Sequence, residues 1–150
     1  MSPADPQTFV IQTDLQSGQL DLSIARAVGP VQEAGDSEAA IAAVVIMHVV
    51  PNDMIAPMLH TGGGFGRTGE ALLVDREGRV LAPLKHPLSD GSTAKPLEYR
   101  ITAEPAVLAA GGAEGIISAE DYRGERVLAA YRYIPVSPGV GWGMVSTFSG

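Results

Sequence analysis

The histidines are the first residues of this sequence whose chemistry suggests a site. They stand at positions 48, 60 and 86, and no two have the i,i+4 spacing that lets a helix present two ligands to one metal ion. The chain has no cysteine, which excludes disulfides, thiolate metal sites and cysteine nucleophiles. His48 lies within an apolar segment, which favours a hydrogen-bonded histidine in the core. We therefore expect no metal site and no cofactor.

A glycine-rich segment is the second candidate for chemistry. Residues 64–69 read Gly-Phe-Gly-Arg-Thr-Gly and match the G-x-G-x-x-G string of dinucleotide-binding proteins. That string binds a pyrophosphate when a strand precedes it and a helix follows, because the helix N-terminus meets the phosphates. Here a helix pattern precedes the glycines and a strand pattern follows them. The segment therefore predicts a tight turn and not a nucleotide site.

Catalytic constellations are also missing from the sequence. There is no Gly-x-Ser-x-Gly elbow, and the carboxylates fall mostly in turns and on polar faces. We therefore predict no catalytic residue and a domain that is not an enzyme.

The charge balance limits the partners. Lys and Arg total 10 against 17 Asp and Glu, giving a net charge of −7 without a basic run, which argues against binding to a nucleic-acid backbone. Arg26 is the only base among the first 50 residues, so any anion-binding site is expected in the second part. Arg26 shares an apolar strand face, where an arginine either extends to water from the strand end, which we expect, or holds a ligand.

The length and hydrophobicity predict one folded domain. The chain has 150 residues, of which 45% are hydrophobic, which fits a single domain over residues 1–150 and argues against disorder. Residues 1–8 are expected to be a flexible or cloning-derived start without a signal-peptide pattern. The longest apolar run, Ala39 to Val50, is too short to cross a membrane.

Alternation, short apolar runs and turn signals predict five to seven mostly antiparallel strands and two short helices. The run at Ile41–Val50 is apolar on both faces, as in a central strand covered on two sides. Thr102 is the expected cap of the second helix. The strands are expected within eight segments, which are Phe9–Leu15, Leu20–Val28, Ile41–Val50, Ala71–Val74, Arg79–Ala82, Gly115–Glu120, Glu125–Ile134 and Trp142–Phe148, and the helices run to Leu59 and over Ala103–Ala110.

Hairpin connections between these strands give the α+β class with an antiparallel sheet. The loop and helix from Lys85 to Ala110 are expected to cover one face of the sheet, with a pocket beneath them. Small residues followed by Tyr131 and Tyr133 in one strand suit either a concave pocket floor or ordinary sheet packing.

Three segments, in this order, resemble the Cache domains, which are PAS-like sensor modules of bacterial transmembrane receptors. They are Gly66–Pro83, Asp121–Arg132 and Gly141–Val145, and the opening strands fit more loosely, so that the resemblance covers residues of about 20–148.

The resemblance implies a PAS-like sheet with a ligand pocket under the loop-helix cover, located outside the cytoplasmic membrane in a membrane-anchored parent protein. The ligands implied are small and polar: amino acids, carboxylates, amines or purines. Cache domains usually begin with a long helix, whereas a strand pattern starts here by Phe9. The chain is therefore similar to a truncated sensor or to the membrane-proximal half of a double Cache module, and such halves often bind nothing.

The resemblance also suggests site residues. Lys85 or Arg100 would hold a ligand carboxylate, Tyr131 and Tyr133 would line the floor, and Asp121 would meet a ligand ammonium group. Tyr99 lies near the cover, but no tryptophan follows Arg100 as the amino-acid-binding signature of the family requires.

Three functions stay open at this level. The first is a small-molecule sensor of a receptor, for which a histidine kinase is the expected parent and a diguanylate cyclase or chemotaxis transducer the alternative. The second is a ligand-free module for coupling or homodimerisation. The third is a cytosolic PAS-like protein with a cofactor or a small enzymatic activity.

Overall fold

Seven strands and two helices make up the described parts of the chain. The computed structural model describes residues 7–13, 20–28, 43–60 and 69–149. The elements are β1 (Gln7–Thr13), β2 (Leu20–Val28), β3 (Ala43–Val49), α1 (Pro51–His60), β4 (Ala71–Val74), α2 (Glu104–Ala110), β5 (Gly115–Glu120), β6 (Arg126–Ser137) and β7 (Val140–Phe148). Neither helix of these parts is long and apolar enough to span a membrane.

The α+β class with antiparallel strands is confirmed, and the strands form two sheets instead of one. The first sheet has the order β1-β2-β3, and the second has the order β4-β7-β6-β5. All pairs are antiparallel, with Phe9 opposite Ile24 in the first sheet and Tyr131 opposite Val145 in the second. The expected turn at residues 16–18 lies outside the described residues, and β1 includes residues 7 and 8, which the sequence had assigned to a flexible start.

The third strand corrects one prediction. Residues 41–50 were expected to form a central strand covered on both faces, but β3 lies at the edge of its sheet, and Val44, Val45, Ile46 and Met47 are each more than 50% exposed. The pattern of apolar residues on both faces therefore does not reflect burial here. His48 is likewise not in the core: its side chain is 65% exposed, with Nδ1 3.2 Å from Oδ2 of Asp21.

The second sheet carries the core. Its inner face is defined by Leu72, Val74, Val127, Ala129 and Val145, all buried and packed in one cluster with α2. A second cluster, including Leu59 from α1 and Leu73 from β4, lies on the opposite, outer face, with Trp142 packed against it.

Helix α2 forms where the sequence predicts it, with a different start. Pro105 stands in its first turn, where a proline costs no hydrogen bond, and Gly112 follows its end with φ +98°. The expected cap, Thr102, is not used, because the N-cap position is Ala103 and no side chain caps the helix. The expected return strand at Arg79–Ala82 is also reduced: Arg79 and Val80 make only isolated bridges, to Arg100 and Val74.

Candidate ligand-binding site

The cover lies over the inner face, as the sequence predicts. We define the cover as residues 83–110, which comprise an irregular loop and α2. Helix α2 packs closely on β7, because Gly143 has no side chain: a Cβ there would lie 2.7 Å from the backbone nitrogen of Ala110. Under the cover, the cavity bounded by Leu72, Ile101 and Val145 among others has a volume of only about 10 Å³. That is too small for an organic ligand, so side chains fill the expected pocket.

A buried carboxylate ties the start of the cover to the sheet. Glu70, directly before β4, is only 1% exposed. Its Oε1 accepts a hydrogen bond from the Tyr122 hydroxyl, and its Oε2 accepts one from the backbone N–H of Lys85 at 2.8 Å. Its own backbone N–H donates to Oγ1 of Thr147 at 3.1 Å. These bonds join β4, β7, the cover and the β5–β6 turn, and we call the four residues the Glu70 network.

Burial and this carboxylate determine the ionisation of Tyr122. Burial raises the pKa of Tyr122 far above its usual value, and the hydrogen bond and negative charge of Glu70 raise it further. The hydroxyl therefore keeps its proton and acts as a donor to Glu70 over the whole physiological pH range.

Asp121 organises the neighbouring turn. It is 8% exposed, and its Oδ2 accepts hydrogen bonds from Nε and Nη2 of Arg123 at 2.8 and 2.6 Å. Its Oδ1 accepts the backbone N–H groups of Arg123 and Glu125, at 2.8 and 3.1 Å. Both oxygens are thus engaged within the β5–β6 turn, which leaves Asp121 little capacity to bind a ligand directly.

An open cleft lies beside this turn, between the cover and the β5–β6 hairpin. Its volume is about 410 Å³, and Tyr99, Ala103, Glu104, Glu120, Asp121 and Tyr122 are among its lining residues. We call it the Tyr99 cleft. Glu104 and Glu120 are exposed, and neither makes an ion pair with any described residue. The cleft is therefore suited to a ligand that carries a positive charge.

Two of the six residues that the sequence proposed, Tyr99 and Asp121, come together in this cleft. Lys85 lies in the Glu70 network, with Nζ 3.1 Å from the carbonyl oxygen of Gly69. Arg100 is exposed elsewhere, with Nη2 3.8 Å from Oε2 of Glu77.

The two predicted floor tyrosines pack on glycines of neighbouring strands. A Cβ on Gly115 would lie 2.8 Å from the Tyr131 hydroxyl, and a Cβ on Gly141 would overlap the Tyr133 ring. Tyr131 also packs against the inner-face cluster. The packing of Tyr133 matches sheet packing, whereas Tyr131 also lines an open cleft of about 470 Å³, with Gly115 and Met144 among its other lining residues.

Sequence reasoning missed the Glu70 network and the two exposed acids of the cleft. Glu70 directly precedes a strand, where an acidic residue usually marks a solvated strand end. The one available signal is that an acid comes directly before four consecutive apolar residues, all of which are buried here. No three metal-binding side chains come together within the described parts of the chain.

Comparison with known proteins identifies the fold. No family model and no curated protein matches the sequence. Among solved structures, the periplasmic sensory domain of the Campylobacter jejuni chemoreceptor Tlp1 matches 98% of this chain and 50% of its own, with 15% identity and a TM-score of 0.61. The chain has the fold of a chemoreceptor sensory domain. The Cache-like resemblance seen in the sequence is therefore confirmed at the level of the fold.

Two Pseudomonas aeruginosa PAO1 structures share this sensory-domain fold. The ligand-binding domain of the amino-acid chemoreceptor PctC, in complex with GABA, matches 97% of this chain at 18% identity and a TM-score of 0.55. The domain of PctB, in complex with L-Arg, matches 97% at 18% identity and a TM-score of 0.50. This chain covers 57% and 54% of those two domains, so it spans about half the length of the structures that it matches.

Proposed function

We propose that this chain is an extracytoplasmic small-molecule-sensing domain of a bacterial transmembrane receptor and that it is not an enzyme. The observation that carries the proposal is the fold, which nearly the whole chain shares with three sensory or ligand-binding domains. One of these is named as periplasmic, which supports the same location for this chain in a membrane-anchored parent. The named neighbours are chemoreceptors, which supports a chemotaxis transducer as the parent besides the histidine kinase expected from the sequence.

The proposed binding site is the Tyr99 cleft, and the proposed ligand class is amines and amino acids. Glu104 and Glu120 supply negative charge at its rim, Tyr99 supplies an aromatic surface, and Asp121 shapes the wall through its turn. GABA and L-Arg, which are bound to the two Pseudomonas domains, both carry a positively charged amino group. Lys85, Arg100, Tyr131 and Tyr133 lie outside this cleft, so we do not include them in the site.

A thermal-shift screen of the chain against amines, amino acids, carboxylates and purines tests the proposal. A ligand at 100 times its dissociation constant stabilises the folded state by about 2.7 kcal/mol. For a domain of this size, that corresponds to a rise in melting temperature of roughly 5–10 °C. We expect the rise with amines or amino acids, and a rise with dicarboxylates alone would contradict the amine assignment.

Matched variants locate the site. Glu104→Gln and Glu120→Gln remove the two exposed charges of the cleft and should each weaken binding about tenfold, because a hydrogen bond to a charged group contributes about 1.5–3 kcal/mol. Glu114→Gln is the control, since Glu114 is also exposed but stands at the other end of β5, 3.3 Å from Nε of Arg132. Equal effects of all three substitutions would remove the cleft from the proposal.

A second function, a ligand-free coupling or dimerisation module, is favoured by one observation. The space under the cover is filled, whereas a sensor of the expected kind has its pocket there. The exposed edge strand β3 would then supply a surface for a second copy of the chain. This function predicts a flat thermal-shift screen together with self-association in sedimentation, whereas the sensor predicts a ligand response.

A further inference from the structure

A second cleft lies at the opposite end of the four-stranded sheet from the Tyr99 cleft. It has a volume of about 230 Å³ and opens between the turn after β4 and the turn between β6 and β7. Leu81, Leu97 and Trp142 form its apolar side, and its charged side carries Arg76 and Arg79 together with the acids Asp75 and Glu77. We call it the Arg79 cleft.

Only one edge of the Arg79 guanidinium group, the edge that carries Nε, makes a hydrogen bond or an ion pair with described residues. Its Nε donates to Oδ2 of Asp75 at 2.7 Å and lies 3.3 Å from Oε2 of Glu77. Neither terminal nitrogen, Nη1 or Nη2, donates to any group in the described parts of the chain. An anchored guanidinium with both terminal nitrogens available has the geometry that binds a carboxylate through two parallel hydrogen bonds.

Positive charge gathers around this turn although the chain as a whole carries −7. Arg76 makes no ion pair with a described residue, and Arg100 reaches Glu77 at 3.8 Å from the strand-like bridge that it forms with Arg79. Three arginines and two acids thus surround the turn, and of these Arg100 does not line the cleft. Asp75 is already engaged by Arg79 and by the backbone N–H groups of residues 77 and 79. Arg76 is the one charge of this group with no ion-pair partner among the described residues, so the uncompensated charge at the turn is positive and suits an anion.

The apolar side of the cleft contains a residue with an unusual backbone conformation. Leu97 has φ +61°, in the left-handed region, and its backbone N–H donates to the carbonyl oxygen of Val80 at 2.9 Å. For a residue other than glycine, this conformation costs about 1–2 kcal/mol. Leu97 and Trp142 both line the cleft, so a flat apolar group bound there would lie against these two side chains.

From these observations we propose that the Arg79 cleft binds a small carboxylate with a planar apolar body, such as an aryl carboxylate. Arg79 holds the carboxylate through its two terminal nitrogens, Arg76 adds a second positive charge, and Trp142 and Leu97 enclose the ring. The site differs from the Tyr99 cleft in position and in the sign of the charge that it prefers. It therefore does not depend on the proposed amine-sensing function.

Trp142 is the only tryptophan of the chain, which makes its fluorescence a direct reporter of this cleft. Phenylacetate is the probe, titrated with excitation at a wavelength that it does not absorb. 2-Phenylacetamide and 2-phenylacetamidinium, of the same shape, are the neutral and cationic controls. We expect a saturable change in Trp142 emission with phenylacetate alone. Equal responses to all three compounds, or none to phenylacetate, would overturn the proposal.

Substitutions test the role of the arginines. Arg79→Gln should weaken phenylacetate binding about tenfold or more, and Arg79→Lys should do so partially, because it keeps the charge but loses the fork. Arg76→Gln breaks no hydrogen bond or ion pair between described residues, so it should leave the fold intact and still reduce affinity severalfold. Arg126→Gln, at the start of β6 near the other end of the sheet, is the matched control. Unchanged binding in Arg76→Gln and Arg79→Gln would refute the site even if the native chain responds to phenylacetate.

Discussion

The contribution of the Glu70 network to the free energy of unfolding can be measured with three variants. They are Tyr122→Phe, Glu70→Ala and the double variant. Tyr122→Phe leaves Oε1 of the buried carboxylate without its donor, and a hydrogen bond to a charged group contributes about 1.5–3 kcal/mol. Glu70→Ala leaves two donors unmatched, the Tyr122 hydroxyl and the Lys85 backbone N–H, at about 1–3 kcal/mol each. We therefore expect losses of about 2 and about 4 kcal/mol in the free energy of unfolding.

The double-mutant cycle isolates the bond itself. Since the two side chains are in direct contact, the double variant should lose less than the sum of the single losses, by about 1.5–3 kcal/mol. Urea unfolding followed by circular dichroism is the assay, and changes of this size shift the midpoint by about 1 M.

Tyr133→Phe supplies the matched control for this cycle. The Tyr133 hydroxyl makes no hydrogen bond with a described residue, so its removal should cost less than about 0.5 kcal/mol and should be additive with Glu70→Ala. A coupling energy below about 0.5 kcal/mol between Glu70 and Tyr122, or an equal one between Glu70 and Tyr133, would refute the reasoning.

Three further perturbations test separate parts of the structure. The pKa of Tyr122 is raised by burial and by Glu70, so the folded state keeps a proton that an unfolded tyrosine loses above about pH 10. The contribution of Tyr122 to the free energy of unfolding should be complete below about pH 10. Above that pH it should fall by up to about 1.4 kcal/mol per pH unit, and urea titrations of Tyr122→Phe should lack this slope. Gly143→Ala should cost about 1–3 kcal/mol in thermal unfolding, because the added methyl group would press on the α2 backbone, and a neutral result would contradict the close packing of α2 on β7. Ile46→Lys, on the exposed edge strand, should change the free energy of unfolding by less than about 0.5 kcal/mol in urea titrations, and a large loss would show that β3 is covered.

Local turn chemistry explains why much of the fold is predictable from the sequence. The β5–β6 hairpin lies where expected, because Asp121 binds the backbone of its own turn and Gly124 adopts φ +82°. Helix α2 ends where expected, at two glycines. These features depend on contacts between residues that are close in sequence, so one amino-acid sequence is enough to predict them.

Long-range contacts explain the failures. The apolar pattern of β3 resembles that of a buried strand, and only the strand order shows that it lies at a sheet edge. The run of apolar residues after Glu70 is the only local sign that it is not a solvated acid, because its partners Lys85, Tyr122 and Thr147 are distant in sequence. For the same reason, only Tyr99 and Asp121 of the six predicted site residues meet in one cleft.

The central claim is that this chain binds a positively charged small molecule in the Tyr99 cleft, and chemical-shift mapping tests it most directly. Two-dimensional ¹H–¹⁵N spectra of the labelled chain would be recorded with and without each member of the amine and amino-acid panel. The sensor function predicts saturable shifts in the backbone amides of residues 99–104 and 119–122, and no shift of the Trp142 indole at the other end of the sheet. Spectra unchanged across the whole panel, or shifts that leave both of these segments unaffected, would contradict it.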